Sequence, residues 1–144
     1  MTATNDLSGR TVLITGAARR VGRHLAGRLA VSGARVVIHY HTSADEAATL
    51  VDEITTAGGE AATVSGDLTD PEVAENLIAE ATASFGPLDV LVNNASLFAP
   101  GEVLETTLDE WARYQAIHAT APFLLSREFA RHLPRGRAGV IVNM

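Results

Sequence analysis

The sequence contains no cysteine and no lysine, only 5% aromatic residues, and no apolar run that approaches a membrane span. Each absence removes a class of function. Without cysteine there is neither a disulfide framework nor a thiolate metal ligand, and no metal site is expected. A bilayer-crossing helix needs about 18 or more consecutive apolar residues, so no membrane partner is expected either. The opening MTATNDLSGR is polar and lacks the apolar centre of a secretory signal, which makes a cytoplasmic location the simplest expectation. All 11 cationic side chains are arginine, and 17 acidic residues leave a net charge of -6. That balance argues against the broad positive footprint of a nucleic-acid binder. What remains is 144 residues, 47% hydrophobic and 19% charged, enough for one domain with a real core over 1–144. Positive charge is local, with Arg19, Arg20, Arg23 and Arg28 gathered in one stretch.

That stretch, Thr11 to Leu29 (TVLITGAARRVGRHLAGRL), organises the rest. Thr11-Val-Leu-Ile-Thr15 is a β-branched and apolar run ending at Gly16, and the residues after it return apolar side chains at helical spacing, Val21, Leu25 and Leu29. The pattern predicts a strand, a tight turn and a helix. The unpaired N–H groups and positive dipole end of such a helix N-terminus suit a phosphate. Taken alone, Gly16 and Gly22 also admit a plainer reading, a turn and close helix packing.

Along the chain, residues 1 to 9 read as a loose lead-in and Ser32-Gly33 stops the first helix. Ala34 to Tyr40 is a second strand whose continuous apolar centre suits a parallel sheet covered on both faces. Ser43 and Glu46 have capping-box spacing and open a helix through Ala47, Leu50, Val51 and Ile54 that ends at Gly58-Gly59. Glu60 to Gly66 is a third, weaker strand. Asp70 caps and Pro71 begins a helix through Val73, Leu77, Ile78 and Phe85 that Gly86-Pro87 terminates. Leu88 to Val92 is a fourth strand, Thr107 and Glu110 make another capping box, a long helix runs from about Leu108 to Leu133, and Gly139 to Val142 begins a fifth strand. This alternation with short connections implies an α/β, Rossmann-type doubly wound parallel sheet of strand order 3-2-1-4-5, incomplete after strand 5. The ligand crevice is expected at the carboxyl ends of strands 1 and 4.

Thr15-Gly16-Ala17-Ala18-Arg19-Arg20-Val21-Gly22 resembles the TGxxxGxG loop of the short-chain dehydrogenase/reductase family. Arg20 stands where that family usually has its middle glycine, which looks like the pteridine reductase branch. The resemblance implies that Gly16, Arg19, Arg20 and Val21 hold a dinucleotide. Which dinucleotide is read after strand 2, where an NAD site carries a carboxylate for the ribose. Here Tyr40, His41, Thr42 and Ser43 follow His39, with no carboxylate before Asp45. Arg19, His41, Thr42 and Ser43 offer donors and positive charge for a 2′-phosphate instead, so NADP(H) is expected. HYHTS also resembles the 2′-phosphate segment of pteridine reductases. The plainer alternative has the histidines ending a strand in solvent and Ser43 serving only as a cap.

Asp67-Leu68 resembles the family's adenine contact, although an Asp in GDLTD also suits a turn. Asn93-Asn94-Ala95-Ser96 resembles its NNAG segment, which implies cofactor-lining roles for Asn93, Ala95 and Ser96, with serine in place of glycine again in the pteridine reductase wording. Phe98 stands where a pteridine reductase stacks a phenylalanine on the pterin. Arg20, Ser96 and Phe98 together would present a guanidinium, a hydroxyl and an aromatic face to a flat heteroaromatic substrate. Phe98 is otherwise an ordinary buried aromatic.

His118, in WARYQAIHATAPFLL, takes the place of the family's catalytic asparagine, the alternative being a packed core histidine. Pro122 removes the N–H that would bond the His118 carbonyl and opens that turn, leaving the carbonyl free for the relay water that the family's asparagine anchors. The family's YxxxK pair is absent, since neither Tyr40 nor Tyr114 precedes a lysine, and a proton donor beside the hydride acceptor is needed. Two readings follow. The chain is either the N-terminal part of an NADPH-dependent, pteridine reductase-like enzyme, working as a homo-oligomer or with a complementary C-terminal fragment, or a non-catalytic nucleotide-binding or assembly module.

Overall fold

The central strands are buried along their length, and their side chains point alternately to two cores, one on each face of a single sheet. The computed structural model describes residues 6–144, so the part of the expected lead-in falling on residues 1–5 lies outside the described residues. The order is β1 (Thr11–Ile14), α1 (Arg20–Val31), β2 (Arg35–Tyr40), α2 (Ala44–Thr56), β3 (Glu60–Ser65), α3 (Pro71–Phe85), β4 (Val90–Asn93), α4 (Leu108–Gln115), a π-helical turn (Ala116–Thr120), α5 (Ala121–His132) and β5 (Val140–Asn143). All pairings are parallel, in spatial order β3-β2-β1-β4-β5. The expected doubly wound sheet is therefore present.

Because strand side chains alternate faces, Val12, Ile14, Val36, Ile38 and Val92 meet α1 and α2 on one side. Leu13, Val37 and Leu91 meet α3 and α5 on the other, against Leu77, Ile78, Leu125 and Phe129. At the amino ends of the strands, buried Asp89 accepts the Thr11 N–H (2.9 Å) and pairs with Arg10 (3.0 Å) and Arg137 (2.6 Å). Burial raises the Asp89 pKa, but the Thr11, Arg137 and Arg10 donors outweigh it and hold the carboxyl below its usual value. The entrances to β1, β4 and β5 are thereby tied at one point, and the sheet is anchored opposite the crevice.

Three local expectations need correction. Of the helically spaced Val21, Leu25 and Leu29, Leu25 and Leu29 pack half-buried against the core, whereas Val21 is 59% exposed. The buried line is Gly22, Ala26 and Ala30, because small residues let the helix lie close to the sheet. Ser43 occupies the N-cap of α2 but its side chain makes no capping bond; Arg19 has taken both members of the expected box, as described below. The long helix is broken by the π-helical turn, where the Ala121 N–H reaches back to the Ala116 carbonyl, next to Pro122, as removal of the Pro122 N–H anticipates. The remaining caps form as expected. Asp70 accepts the Glu72 N–H with Pro71 in the first turn, and Thr107 and Glu110 complete a reciprocal capping box.

Candidate functional site

The winding reverses between β1 and β4, and there a cleft of about 600 Å³ opens at the carboxyl ends of the strands. Its floor is the turn after β1. Gly16 has φ +62°, and a Cβ on it would lie 2.9 Å from the Ala95 Cα. A Cβ on Gly22 would come within 2.6 Å of the Asn94 side-chain nitrogen and 2.7 Å of the Gly16 carbonyl. Both glycines are thus required by the packing of this turn on the segment after β4, so the plainer reading accounts for them, and the case for a ligand rests on the rest of the cleft.

The turn is stitched from both sides. From β4, the Thr15 hydroxyl accepts the Asn94 and Ala95 N–H groups (both 2.9 Å), while the Asn94 amide donates to the Thr15 carbonyl (2.8 Å) and the Gly16 carbonyl (3.2 Å). From β2, the His39 Nδ1 accepts the Gly16 N–H (3.1 Å), the His39 carbonyl accepts the Ala17 N–H (2.9 Å), and Nε2 donates to the Gly66 carbonyl (3.0 Å). Burial is the largest influence on His39 and lowers its pKa to about 4. The ring is neutral, with its proton on Nε2, since one partner only donates and the other only accepts.

Above the turn, α1 begins at Arg20, which has φ +51°, the only positive φ among the described non-glycine residues. A glycine would sit there without strain, whereas a side chain costs about 1–2 kcal/mol. No side chain caps this helix and no acidic residue sits in its first turn, so its N–H groups and positive end face the cleft beside Arg19, Arg20, Val21 and Gly22. Two guanidiniums and an open helix N-terminus are a donor set suited to a polyanion such as a dinucleotide.

At the ribose edge the arrangement departs from expectation. Arg19 Nη1 donates weakly to the Ser43 hydroxyl (3.4 Å) and its Nε pairs with the Glu46 carboxylate (3.3 Å). Glu46 therefore lies against the charge assigned to a phosphate, although it comes from the first turn of the next helix. His41 lines the cleft and stands 3.8 Å from Asp67. Thr42 and Ser43 lie outside the cleft lining, and Tyr40 packs against the core on the α1 and α2 face.

Asp67 and Leu68 both line the cleft. Asp67 also makes the turn that its sequence permits: Oδ1 accepts the Thr69 N–H (3.0 Å) and hydroxyl (2.7 Å), and that backbone bond is the main influence lowering its pKa. Ala95, Ser96 and Phe98 line the cleft with Arg20, and Phe98 is 82% exposed, not a buried aromatic. Asn93 does not line it. Its amide donates to the Asn143 side-chain oxygen (2.8 Å) in a second cavity of about 340 Å³, and its neighbour Asn94 looks into the cleft instead. Sequence reasoning also passed over His39, Thr69, Arg113 and Ile117, all near or within the lining.

His118 lines the second cavity with Pro122, Phe123 and Ser126. Its ring is exposed and not part of the core; Nε2 lies 3.1 Å from the Leu97 carbonyl and 3.4 Å from the Leu97 N–H, and the ring stacks on Tyr114 at 5.9 Å. Tyr114 in turn accepts the Ala99 N–H (2.6 Å) and donates to the Ala99 carbonyl (3.1 Å). Together they fix the backbone around Phe98. Ala95 and Ile117 belong to the walls of both cavities.

Residues 10–144 match a family model described as short chain dehydrogenase. The chain is 36% identical over 130 residues to versicolorin reductase of Emericella nidulans, covering 90% of this chain and 49% of that protein. It is 35% identical over 141 residues to a probable tetrahydroxynaphthalene reductase of Zymoseptoria tritici, covering 98% and 52%. Among solved structures, the alternative dihydrofolate reductase 1 FolM of Brucella canis, complexed with NADP, superposes with a TM-score of 0.90 at 34% identity over 96% of this chain and 56% of that one. A short chain dehydrogenase of Burkholderia cenocepacia, also in complex with NADP, gives 0.89 at 37% identity over the same shares. The chain spans about half the length of the curated relatives it matches.

Proposed function

The chain belongs to the short chain dehydrogenase family, and from that membership we propose that it is the cofactor-binding part of an NADPH-dependent reductase acting on a pterin or a similar fused heteroaromatic. The observation that carries the reading is the joint lining of one cleft by Arg19 and His41 at the ribose edge and by Arg20, Ser96 and Phe98 at the other residues assigned to substrate. The dihydrofolate reductase named among the structural neighbours acts on a compound containing a pterin ring and was solved with NADP, which supports both halves of the proposal.

When bound, NADPH supplies a hydride to the substrate ring. The protein's own part is to bind and orient. The first turn of α1 with Arg20 and Val21 would hold the pyrophosphate, Arg19 with His41 would hold the 2′-phosphate, and Asp67 and Leu68 would frame the adenine. Phe98 offers a flat apolar face to the substrate, held by the Tyr114 and His118 bonds to its flanking backbone. The widened turn before Pro122 leaves the His118 carbonyl without an N–H from residue 122, a place to anchor water for proton delivery. Asn93 supports the sheet rather than the cofactor. The proton donor itself, the family's tyrosine and lysine, would come from residues corresponding to the half of the relatives that this chain does not cover, not from a second copy of this lysine-free chain.

Titration of the full protein with NADPH and NADH tests the cofactor, with tighter NADPH binding expected; equal or tighter NADH binding overturns it. Phe98→Ala should weaken pterin binding while sparing NADPH, and an unchanged pterin affinity removes the substrate assignment.

A further inference from the structure

We propose that His39 is a positioning residue for the dinucleotide, holding the Gly16 turn in the orientation that presents the first turn of α1 to the cleft. The inference rests on the cofactor reading above. A peptide group can rotate about its flanking bonds, and Gly16 at φ +62° lacks the side chain that would restrain it. The Thr15–Gly16 peptide has its N–H taken by the His39 ring and its Thr15 carbonyl taken by the Asn94 amide, from segments on opposite sides of β1. The peptide is therefore gripped at both ends. The same ring donates to the Gly66 carbonyl, the residue immediately before Asp67, so one buried side chain sets the distance between the phosphate end and the adenine end of the cleft. An apolar residue of similar size would fill the space but leave two buried backbone groups unpaired.

The two ring nitrogens can be separated by substitution. Asparagine places its oxygen near the Nδ1 position and keeps the Gly16 bond; glutamine reaches the Nε2 position and keeps only the Gly66 bond; leucine keeps neither. NADPH and ADP are titrated into wild type, His39→Asn, His39→Gln and His39→Leu, with melting temperatures recorded in parallel. His39→Asn should bind NADPH within about threefold of wild type, while His39→Gln and His39→Leu weaken it about tenfold or more, the loss equivalent to one buried hydrogen bond. A purely structural role would lower the melting temperatures without separating asparagine from glutamine in affinity, and that result overturns the proposal. Wild type that binds neither NADPH nor ADP overturns the cofactor reading and this inference together; wild type that binds, with all variants equal to it, overturns only this one. Should His39→Leu fail to fold, nitrogen NMR of the wild-type ring still decides, since the proposal requires the proton on Nε2 in the free and NADPH-bound states, and a proton on Nδ1 refutes it.

Discussion

At the scale of single residues, the charge of Arg19 is already engaged. Glu46 holds its Nε at 3.3 Å with both side chains about half exposed, a pair worth about 0–1 kcal/mol. A 2′-phosphate must compete with that carboxylate or sit beside it. Glu46→Gln should therefore tighten NADPH binding a few-fold while leaving NADH nearly unchanged, and a parallel titration of both cofactors checks it. His39 gives a second expectation. Its pKa is pushed from 6.5 to about 4 by burial, so the unfolded chain takes up the proton first. Between about pH 6.5 and 4 the unfolded state binds more protons, and stability falls as pH falls, by on the order of 3 kcal/mol in full. Denaturant midpoints measured across that window should show the slope, and His39→Asn should flatten it. Neither role was legible from the sequence. His39 reads as the exposed end of a strand until β3 is placed beside it, and the two asparagines at the end of β4 are indistinguishable until register fixes which faces the cleft. Adjacent strand residues point to opposite faces, so an error of one position moved the assignment from Asn94 to Asn93.

At the scale of elements, legibility followed the strength of local signals. The caps at Asp70 and Thr107 and the stops at Gly33, Gly58 and Gly86 depend on backbone chemistry within a few residues. The buried face of α1 does not, because it is decided by how near the sheet lies, and a helix set that close buries Gly22, Ala26 and Ala30 rather than its larger neighbours. α4 is the opposite case. It buries no residue, so little tertiary packing holds it and its capping box matters more. Thr107→Ala should cost that helix about 1 kcal/mol and raise hydrogen exchange selectively over residues 108–115, with the global unfolding midpoint almost unmoved. Equal protection in both proteins would mean that packing outside α4 itself maintains the helix.

At the scale of the whole molecule, the sheet is unequal at its two edges. β5 lies outermost next to β4 and its apolar residues remain exposed, Val140 at 53%, Ile141 at 40% and Val142 at 41%. Each large apolar side chain left in water forgoes about 1.5–3 kcal/mol, and an open apolar edge pairs readily with another strand. The 144-residue chain should therefore run on size exclusion above its 15.1 kDa mass, in a concentration-dependent manner, and replacing Val140 and Val142 by lysine should return it to monomer size. A monomer at all concentrations would show that the edge does not recruit a partner. The shared wall of Ala95 and Ile117 carries a different consequence. Two cavities separated by two side chains are thermodynamically linked wherever an occupant displaces either one. A small molecule seated against His118 and Phe123 then alters dinucleotide affinity by the same factor by which the dinucleotide alters its own, so that an isolated binding constant for either site is a property of the pair.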